Sequence, residues 1–436
     1  MSAAPALASR PDGPSHEAPR RKLRLWRWPR MVTVAVCSLL LVVAGTGAVI
    51  YRQLTENIAS FALHDGLSPI PTDVLDAEGR APTDILVLGS DTRSNKENCD
   101  LGGNCTGSDS AGANADVIML VRVAPDRSHA TVMSIPRDLV VTLPSCRTRP
   151  GTVREPRTTK ITNSLQAAPS CTVAAVEQLT GVAIDHFMVV DFSAVITMSN
   201  AIGGVDICVD GRVYDPFSGL KLSAGTHTLV GQSALELLRT RHGFGNASDL
   251  GRQQAQKTFL ASMLRKLSAS GTLANPSTVL RLADAATTSV TVDSDLAGLG
   301  SLAALGNSLR TVPPSAVAFV SLPTRSDPDL PSAVVLAPES GAVLDQLRRD
   351  VSFTAPAPEV LPPAPQDPVV AEPAPGLVPA GTTPQSVRGP VAAQPSAPIT
   401  SDGDLGCLPV ARGDTTDFGS PAEAYDANPD VPDSAP

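Results

Sequence analysis

Arg239 and Arg241 stand two residues apart, ahead of His242-Gly243-Phe244-Gly245, and Arg252 and Gln256 follow in the run Ser248-Asp249-Leu250-Gly251-Arg252-Gln253-Gln254-Ala255-Gln256. On a continuous α-helix a spacing of two turns side chains about 200° apart, so Arg239 and Arg241 can share a ligand only if the helix ends there. Gly243 and Gly245 supply the termination, and Ser248 or Asp249 the N-cap of the next helix. Arg252 and Gln256, four apart, then share one face near that helix's N-terminus, where unpaired N–H groups favour an anion. Four donors converging on one spot suit a pyrophosphate, because the guanidinium fork gives bidentate, charge-assisted bonds to phosphoryl oxygens. Solvated arginines on helix surfaces satisfy the same spacing.

Carboxylates of matching chemistry stand at strand ends. Asp91 and Arg93 lie in Gly89-Ser90-Asp91-Thr92-Arg93, directly after a buried strand over 84–89. Asp116 precedes a β-rich run over 117–124, and Ser134-Ile135-Pro136-Arg137-Asp138 ends the next, over 129–135. Between those runs Pro125-Asp126-Arg127-Ser128 is hairpin chemistry, which brings Asp116 and Arg137 together at the open end. Ordinary turn chemistry accounts for the first cluster and a surface ion pair for the second. Read as chemistry, Asp91 and Asp116 suit a hard cation, Mg²⁺ (or Mn²⁺), which takes one or two carboxylates plus substrate phosphate. With the arginines they form a phosphoryl-transfer site, in which cation and guanidinium neutralise developing charge. There is no Walker-type loop, no Gly-x-Ser-x-Gly elbow and no His-Glu-x-x-His. His186, His227 and His242 are lone histidines, of which His242 sits between the arginines and the glycines.

The elements that must position these groups alternate. Helical patterns fall at 172–179, near 193–201, and at 232–238, 253–267, 277–286 and 296–309; further strands fall at 187–192, 205–209 and 317–322. Such an order predicts an α/β domain with a mixed central sheet and flanking helices.

Residues 31–51 carry no charge and, at about 1.5 Å per residue, reach across a hydrocarbon layer of about 30 Å. Arg20, Arg21, Lys22, Arg24, Arg27 and Arg30 precede them, with Trp26 and Trp28, which places the N-terminus on the cytoplasmic side and the rest outside. A cleaved signal peptide would be shorter in both its charged and apolar parts. From 354 onward the chain has 18 prolines and 11 acids, a composition that buries too little apolar surface to fold and predicts a disordered tail. The expected organisation is a basic cytoplasmic segment at 1–30, a membrane helix at 31–51, a stalk at 52–80, a catalytic domain at 81–350 and the tail at 351–436. The mildly acidic body has no basic face for nucleic acid. Six of the seven cysteines would meet an oxidising compartment; proximity favours Cys99 with Cys105 and Cys146 with Cys171, while Cys208 and Cys407 either pair or stay free.

Taken together, DILVLGSDTR at 84–93, ADVIMLVRV at 115–123, SIPRD at 134–138, KITNSL at 160–165, IGGVDICV at 202–209 and LRTRHG with SDLGRQQAQ resemble the LytR-CpsA-Psr family. The resemblance implies a three-layer α/β/α domain on a single membrane helix, binding polyprenyl pyrophosphate in an apolar pocket. It implies transfer of a glycan phosphate from a polyprenyl-pyrophosphate-linked polymer to peptidoglycan at the outer face of the cell membrane. By position it implies Asp91 and Asp116 as the metal-associated carboxylates, Arg137 as the strand-end arginine, and Arg239, Arg241, Arg252 and Gln256 as the pyrophosphate clamp, with Arg93 also matching. Asp91 or Asp138 would orient or deprotonate the acceptor. Ala255 stands where the family often has arginine, and the stretch from Asp91 to Asp116 is long and carries Cys99 and Cys105. The alternatives are a non-catalytic polyprenyl-pyrophosphate-binding or sensing protein and a pyrophosphatase using water as acceptor; a transcription factor is disfavoured because the leader has no helix-turn-helix.

Overall fold

The computed structural model of the protein describes residues 27–90, 114–148, 151–245, 249–269, 275–330, 332–353, 399–400, 406–413 and 419–435. The chain divides into two units, 1–53 and 54–436. In the first runs most of helix α1 (Arg27–Glu56), whose stretch Met31–Glu56 is 26 residues and long and apolar enough to cross a membrane. The uncharged run at 31–51 lies within it. Cys37 in this helix is a free, exposed thiol.

The second unit is built on an eight-stranded mixed sheet. Its strands are β1 (Ala59–Phe61), β2 (Thr83–Ser90), β3 (Ala115–Val123), β4 (Ala130–Ile135), β5 (His186–Val190), β10 (Val290–Asp293), β11 (Val317–Ser321) and β12 (Ile399–Thr400). Across the sheet they run β1-β10-β5-β2-β3-β4-β11-β12. A separate hairpin joins β6 (Val205–Val209) to β9 (Gly225–Leu229), and a short pair joins β7 (Val213–Tyr214) to β8 (Lys221–Leu222). The central strands read as near-continuous apolar runs because both of their faces are covered. The period of two sorts them: Leu86, Leu88, Ile118, Leu120, Met133 and Ile135 point to one core, while Met119, Val123, Ala130 and Val132 point to another. The first face is covered by helices α2 (Pro169–Thr180) and α8 (Ser340–Arg348) through Val173, Val176, Leu344 and Leu347. The second is covered by α5 (Asp249–Ser268) and α7 (Leu299–Leu309) through Ala261 and Leu305. This is the three-layer α/β/α arrangement read from the sequence. Helix α3 (Phe192–Ala201) packs against α4 (Gln232–Arg239) and α6 (Pro276–Ser289), and α4 against α5.

At the end of β2 and β3 farthest from Ser90, Arg122 Nη1 donates to Asp84 Oδ2 at 2.8 Å, with the arginine side chain 2% and the carboxylate 0% exposed. Asp350 Oδ1 lies 3.6 Å from Arg122 Nε. Burial pushes the carboxyl groups of Asp73, Asp84 and Asp350 above their ordinary value, with Arg122 opposing it in each case.

Two boundaries differ from expectation. The segment read as a stalk at 52–80 contributes β1 to the sheet edge, parallel to β10 with Ala59 opposite Thr291, and packs Phe61 and Leu63 on the core. Three residues are too few to show a period. The segment read as a disordered tail at 351–436 is partly folded. Residues 354–398 lie outside the described ones, but Cys407 is disulfide-bonded to Cys208, and Leu408 and Ala435 join the core of the hairpin layer. Helix α9 (Pro421–Ala427) starts on a capping box of Ser420 and Glu423. Buried Lys221 donates its Nζ to the carbonyls of Asn428, at 2.7 Å, and Val431. A disulfide and buried anchors overcome a composition that by itself predicts disorder. Cys146 pairs with Cys171 as proximity favours; Cys99 and Cys105 lie outside the described residues.

On α5, Lys257 is buried and donates to Ser321 Oγ at 3.0 Å. Burial lowers its pKa from 10.5 to about 8. A lysine that is harder to protonate in the fold costs stability below the folded value, and the cost fades as pH rises from about 8 toward 10.5. Lys257→Met should therefore raise the unfolding free energy at pH 7 by about 1–3 kcal/mol, because an apolar isostere removes a buried charge. Denaturant titrations at pH 7 and pH 10 check this; a gain that does not shrink at the higher pH would contradict it.

Candidate functional site

A cavity of about 650 Å³ opens where β2 and β5 end and β3 begins, at the carboxyl ends of two parallel neighbours. Its walls are apolar: Val87, Val117 and Met119 from the sheet, Val195 and Met198 from α3, Leu235 and Leu238 from α4, and Phe259, Leu260 and Met263 from α5. Polar groups gather in the same cavity: Asp116, Asp215, Arg239, Arg241, His242, Arg252 and Gln256.

Local geometry explains why the arginines meet. Helix α4 ends at Arg239, and Thr240 is extended (φ −64°, ψ 123°), so the chain turns before Arg241. Thus termination comes before the glycines expected to cause it. Thr240 Oγ1 caps this end by donating to Glu236 O at 2.8 Å and pairing with Ser218 Oγ at 2.7 Å. The Arg239 guanidinium lies over the Phe192 ring, 5.2 Å from its centroid, which restrains its direction. Arg252 comes from the first turns of α5, and Gln256 Nε2 donates to Leu238 O at 3.3 Å, tying α5 to the end of α4. The close approach of α5 needs Gly251, because a Cβ there would run into the carbonyl oxygen of Phe244.

Asp215 had no place in the sequence reading. It is fully buried and accepts the backbone N–H of Phe217 at 3.0 Å on Oδ1, and those of Arg241 and His242, both at 3.2 Å, on Oδ2. One carboxylate thus fixes the turn that presents Arg241. The only local signal is a turn-forming run, Asp215-Pro216-Phe217-Ser218-Gly219; its contact with residue 241 is long-range. The Phe217 ring packs on His242, centroids 4.6 Å apart, at the cavity rim.

On the strand side, Arg137 Nη1 donates to Asp116 Oδ1 and Arg137 Nε lies 3.6 Å from Asp138 Oδ2. The hairpin therefore brings Asp116 and Arg137 together, with Asp116 lining the cavity and Arg137 paired to it. Asp138 accepts Lys160 Nζ at 2.9 Å and is not among the residues lining the cavity. Asp91 and Arg93 lie outside the described residues, as does Ser248. Among the described residues no three His, Cys, Asp or Glu side chains form a metal cluster; Asp116 brings a hard carboxylate to the cavity, which Asp191 and Asp215 also line. Apolar walls with guanidinium groups at one place can hold an amphiphile with a strongly anionic head.

The sequence profile of the LytR_cpsA_psr family matches residues 52–347. The cell wall biosynthesis protein LcpA of Corynebacterium glutamicum is 30% identical over 318 residues, which are 68% of this chain and 60% of that protein. The probable cell wall biosynthesis protein LcpB of the same organism is 32% identical over 196 residues, 45% of this chain and 44% of its own. The chain thus spans less than two thirds of either relative. The polyisoprenyl-teichoic acid–peptidoglycan teichoic acid transferase TagT of Bacillus subtilis is 27% identical over 259 residues, 57% of this chain and 72% of that one. Among solved structures, a LytR-Csp2A-Psr enzyme from Actinomyces oris aligns with a TM-score of 0.50 at 25% identity, over 66% of this chain and 95% of that one.

Proposed function

The chain belongs to the LytR-CpsA-Psr family, and from that premise we propose that it is a membrane-anchored phosphotransferase. In this reading it moves a glycan phosphate from a polyprenyl-pyrophosphate-linked cell-wall polymer onto peptidoglycan and releases polyprenyl phosphate. The observation that carries it is the meeting of Arg239, Arg241 and Arg252 with apolar walls in one cavity of about 650 Å³. The walls suit the first isoprene units, and the guanidinium groups suit the pyrophosphate. The name of LcpA agrees with a cell-wall role and that of TagT with a wall-directed transferase, and helix α1, long and apolar enough to cross a membrane, would anchor the chain where a lipid donor lies. The basic leader favours a cytoplasmic N-terminus and a catalytic domain on the outer side.

The reaction is a displacement at phosphorus. An acceptor hydroxyl oxygen forms a bond to the glycan-linked phosphorus while the bond from that phosphorus to the bridging oxygen breaks; the hydroxyl proton passes to a base, and polyprenyl phosphate leaves with the electron pair. Arg239, Arg241 and Arg252 hold the pyrophosphate and meet the charge that grows on the bridging oxygen. Asp215 keeps the Arg241 turn in place through its backbone bonds. Asp91, which follows Ser90 in the chain, keeps its proposed part in orienting the acceptor, whereas Asp138 is held by Lys160 and Arg137. Asp116, with Asp91 as the second carboxylate that the family resemblance implies, would hold a divalent cation such as Mg²⁺ or Mn²⁺, which would neutralise phosphate oxygens.

The test uses the full chain in lipid nanodiscs with a polyprenyl-pyrophosphate-linked glycan, Mg²⁺ and peptidoglycan, following polyprenyl phosphate release and glycan attachment together. Both products are expected, both should vanish with EDTA, and Mg²⁺ or Mn²⁺ should restore them. Release without attachment would make the protein a pyrophosphatase, and binding without either product would make it a lipid-binding or sensing protein.

A further inference from the structure

The turn that follows Arg241 is also gripped by a segment about 165 residues later. Phe244 and Val410 form an antiparallel bridge: Gly245 N donates to Pro409 O at 2.8 Å and Ala411 N donates to Gly243 O at 3.0 Å. The same segment is fastened to strand β6 by the Cys208–Cys407 disulfide. Leu408 N donates to Cys208 O at 2.8 Å, and Asp210 N to Leu408 O at 3.1 Å. Asp210 Oδ1 also accepts Val410 N at 2.7 Å. Phe244, 1% exposed, is thereby pressed between this strap and Gly251 of α5, one residue before Arg252.

We propose that Cys407–Ala411 are positioning residues for transfer: the strap, locked by Cys208–Cys407, holds the Gly243–Gly245 turn so that Arg241 and Arg252 keep one common geometry toward a pyrophosphate. The proposal rests on the phosphotransferase reading for the identity of the anion. Its physical content is separate: Asp215 fixes the turn at Arg241 and His242, the strap fixes it at Gly243 and Gly245, and α5 packs on the result. With the strap loosened, the turn retains the bonds from Asp215 but loses both of those to Pro409 and Ala411. Arg241 and Arg252 then no longer share a fixed spacing, and a bidentate site tuned to two phosphoryl groups weakens more than either group alone.

The experiment compares the full chain with Cys208→Ser/Cys407→Ser, which opens the lock, and with Asp210→Ala, which removes a strap contact and leaves the disulfide intact. Binding of inorganic pyrophosphate is measured by calorimetry, and amide hydrogen exchange is followed at residues 241–245 and at Leu86–Leu88 in β2. The expected result is about tenfold weaker pyrophosphate binding in the double variant and a smaller loss in Asp210→Ala. Faster exchange should be confined to the turn and the strap, with β2 unchanged. Affinity within twofold while the strap amides exchange freely would overturn the proposal. Faster exchange throughout β2 as well would also overturn it, since the bond would then be a global stabiliser. If the native chain binds no pyrophosphate, the functional reading fails instead, and exchange at Gly245 and Arg241 alone decides whether the strap holds the turn.

Discussion

Arg239→Ala and Arg241→Ala should each lower glycan transfer by about 10²–10³-fold, the range for removing one preorganised donor aimed at developing charge. The two side chains reach the cavity by different routes. Arg239 ends α4 and lies over Phe192, whereas Arg241 stands on a turn held by Asp215. Neither truncation opens the core, so melting temperature and circular dichroism should stay at native values. Arg239→Lys is expected to recover little, because an ammonium cannot give two parallel bonds to one phosphoryl group and stacks less well on the ring. Steady-state assays of polyprenyl phosphate release check this, and rates within threefold of native for either alanine variant would remove that arginine from the clamp.

A loss of a different kind is expected for Arg122→Ala, about 3–5 kcal/mol of folding stability, the cost of stripping one partner from a buried pair. Arg122 is the cation that faces Asp84 at 2.8 Å and Asp350 at 3.6 Å, and it also counters the raised carboxyl of Asp73. The pH dependence has a definite sign. A carboxyl whose folded pKa is raised binds its proton more tightly in the fold, so its contribution is fully present below the ordinary carboxylate value and is lost as pH rises through the folded value. Removing Arg122 raises these groups further. The deficit should therefore be smaller at pH 5 than at pH 7.5, where more of the carboxyls must ionise without their cation. Urea titrations at the two pH values measure it; an equal deficit at both would show that lost packing, not charge, is what Arg122 supplies.

Much of the scaffold was legible because the central strands and outer helices are long enough to show a period. Leu86 and Leu88 on one face and Met119 and Val123 on the other follow the strand alternation directly. Asp116 and Arg137 were legible as a pair because only a hairpin separates them. Arg239 and Arg241 were legible as a common site because spacing demanded a helix end between them, although Thr240 rather than a glycine provides it. What escaped has no local signature. Asp215 earns its place through backbone groups 26 and 27 residues away, Phe192 through a ring under a distant guanidinium, and β1 through an edge only three residues long. The folded part of the tail was hidden by averaging: prolines over more than eighty residues outweighed the few positions, Cys407, Leu408 and Ala435, that tie it down.

The Cys208–Cys407 bond joins residues 199 apart, and this sets an order in time. Arg239, Arg241 and Arg252 are all synthesised more than 150 residues before Cys407, so a growing chain carries these guanidinium groups long before the strap exists. The layer behind them includes Leu408 and Ala435, so it can close only after those residues have been made. A product cut short near residue 400 would hold the whole central sheet, yet leave the Gly243–Gly245 turn without its bonds to Pro409 and Ala411. The strap is in this way made later than the arginine turn it holds.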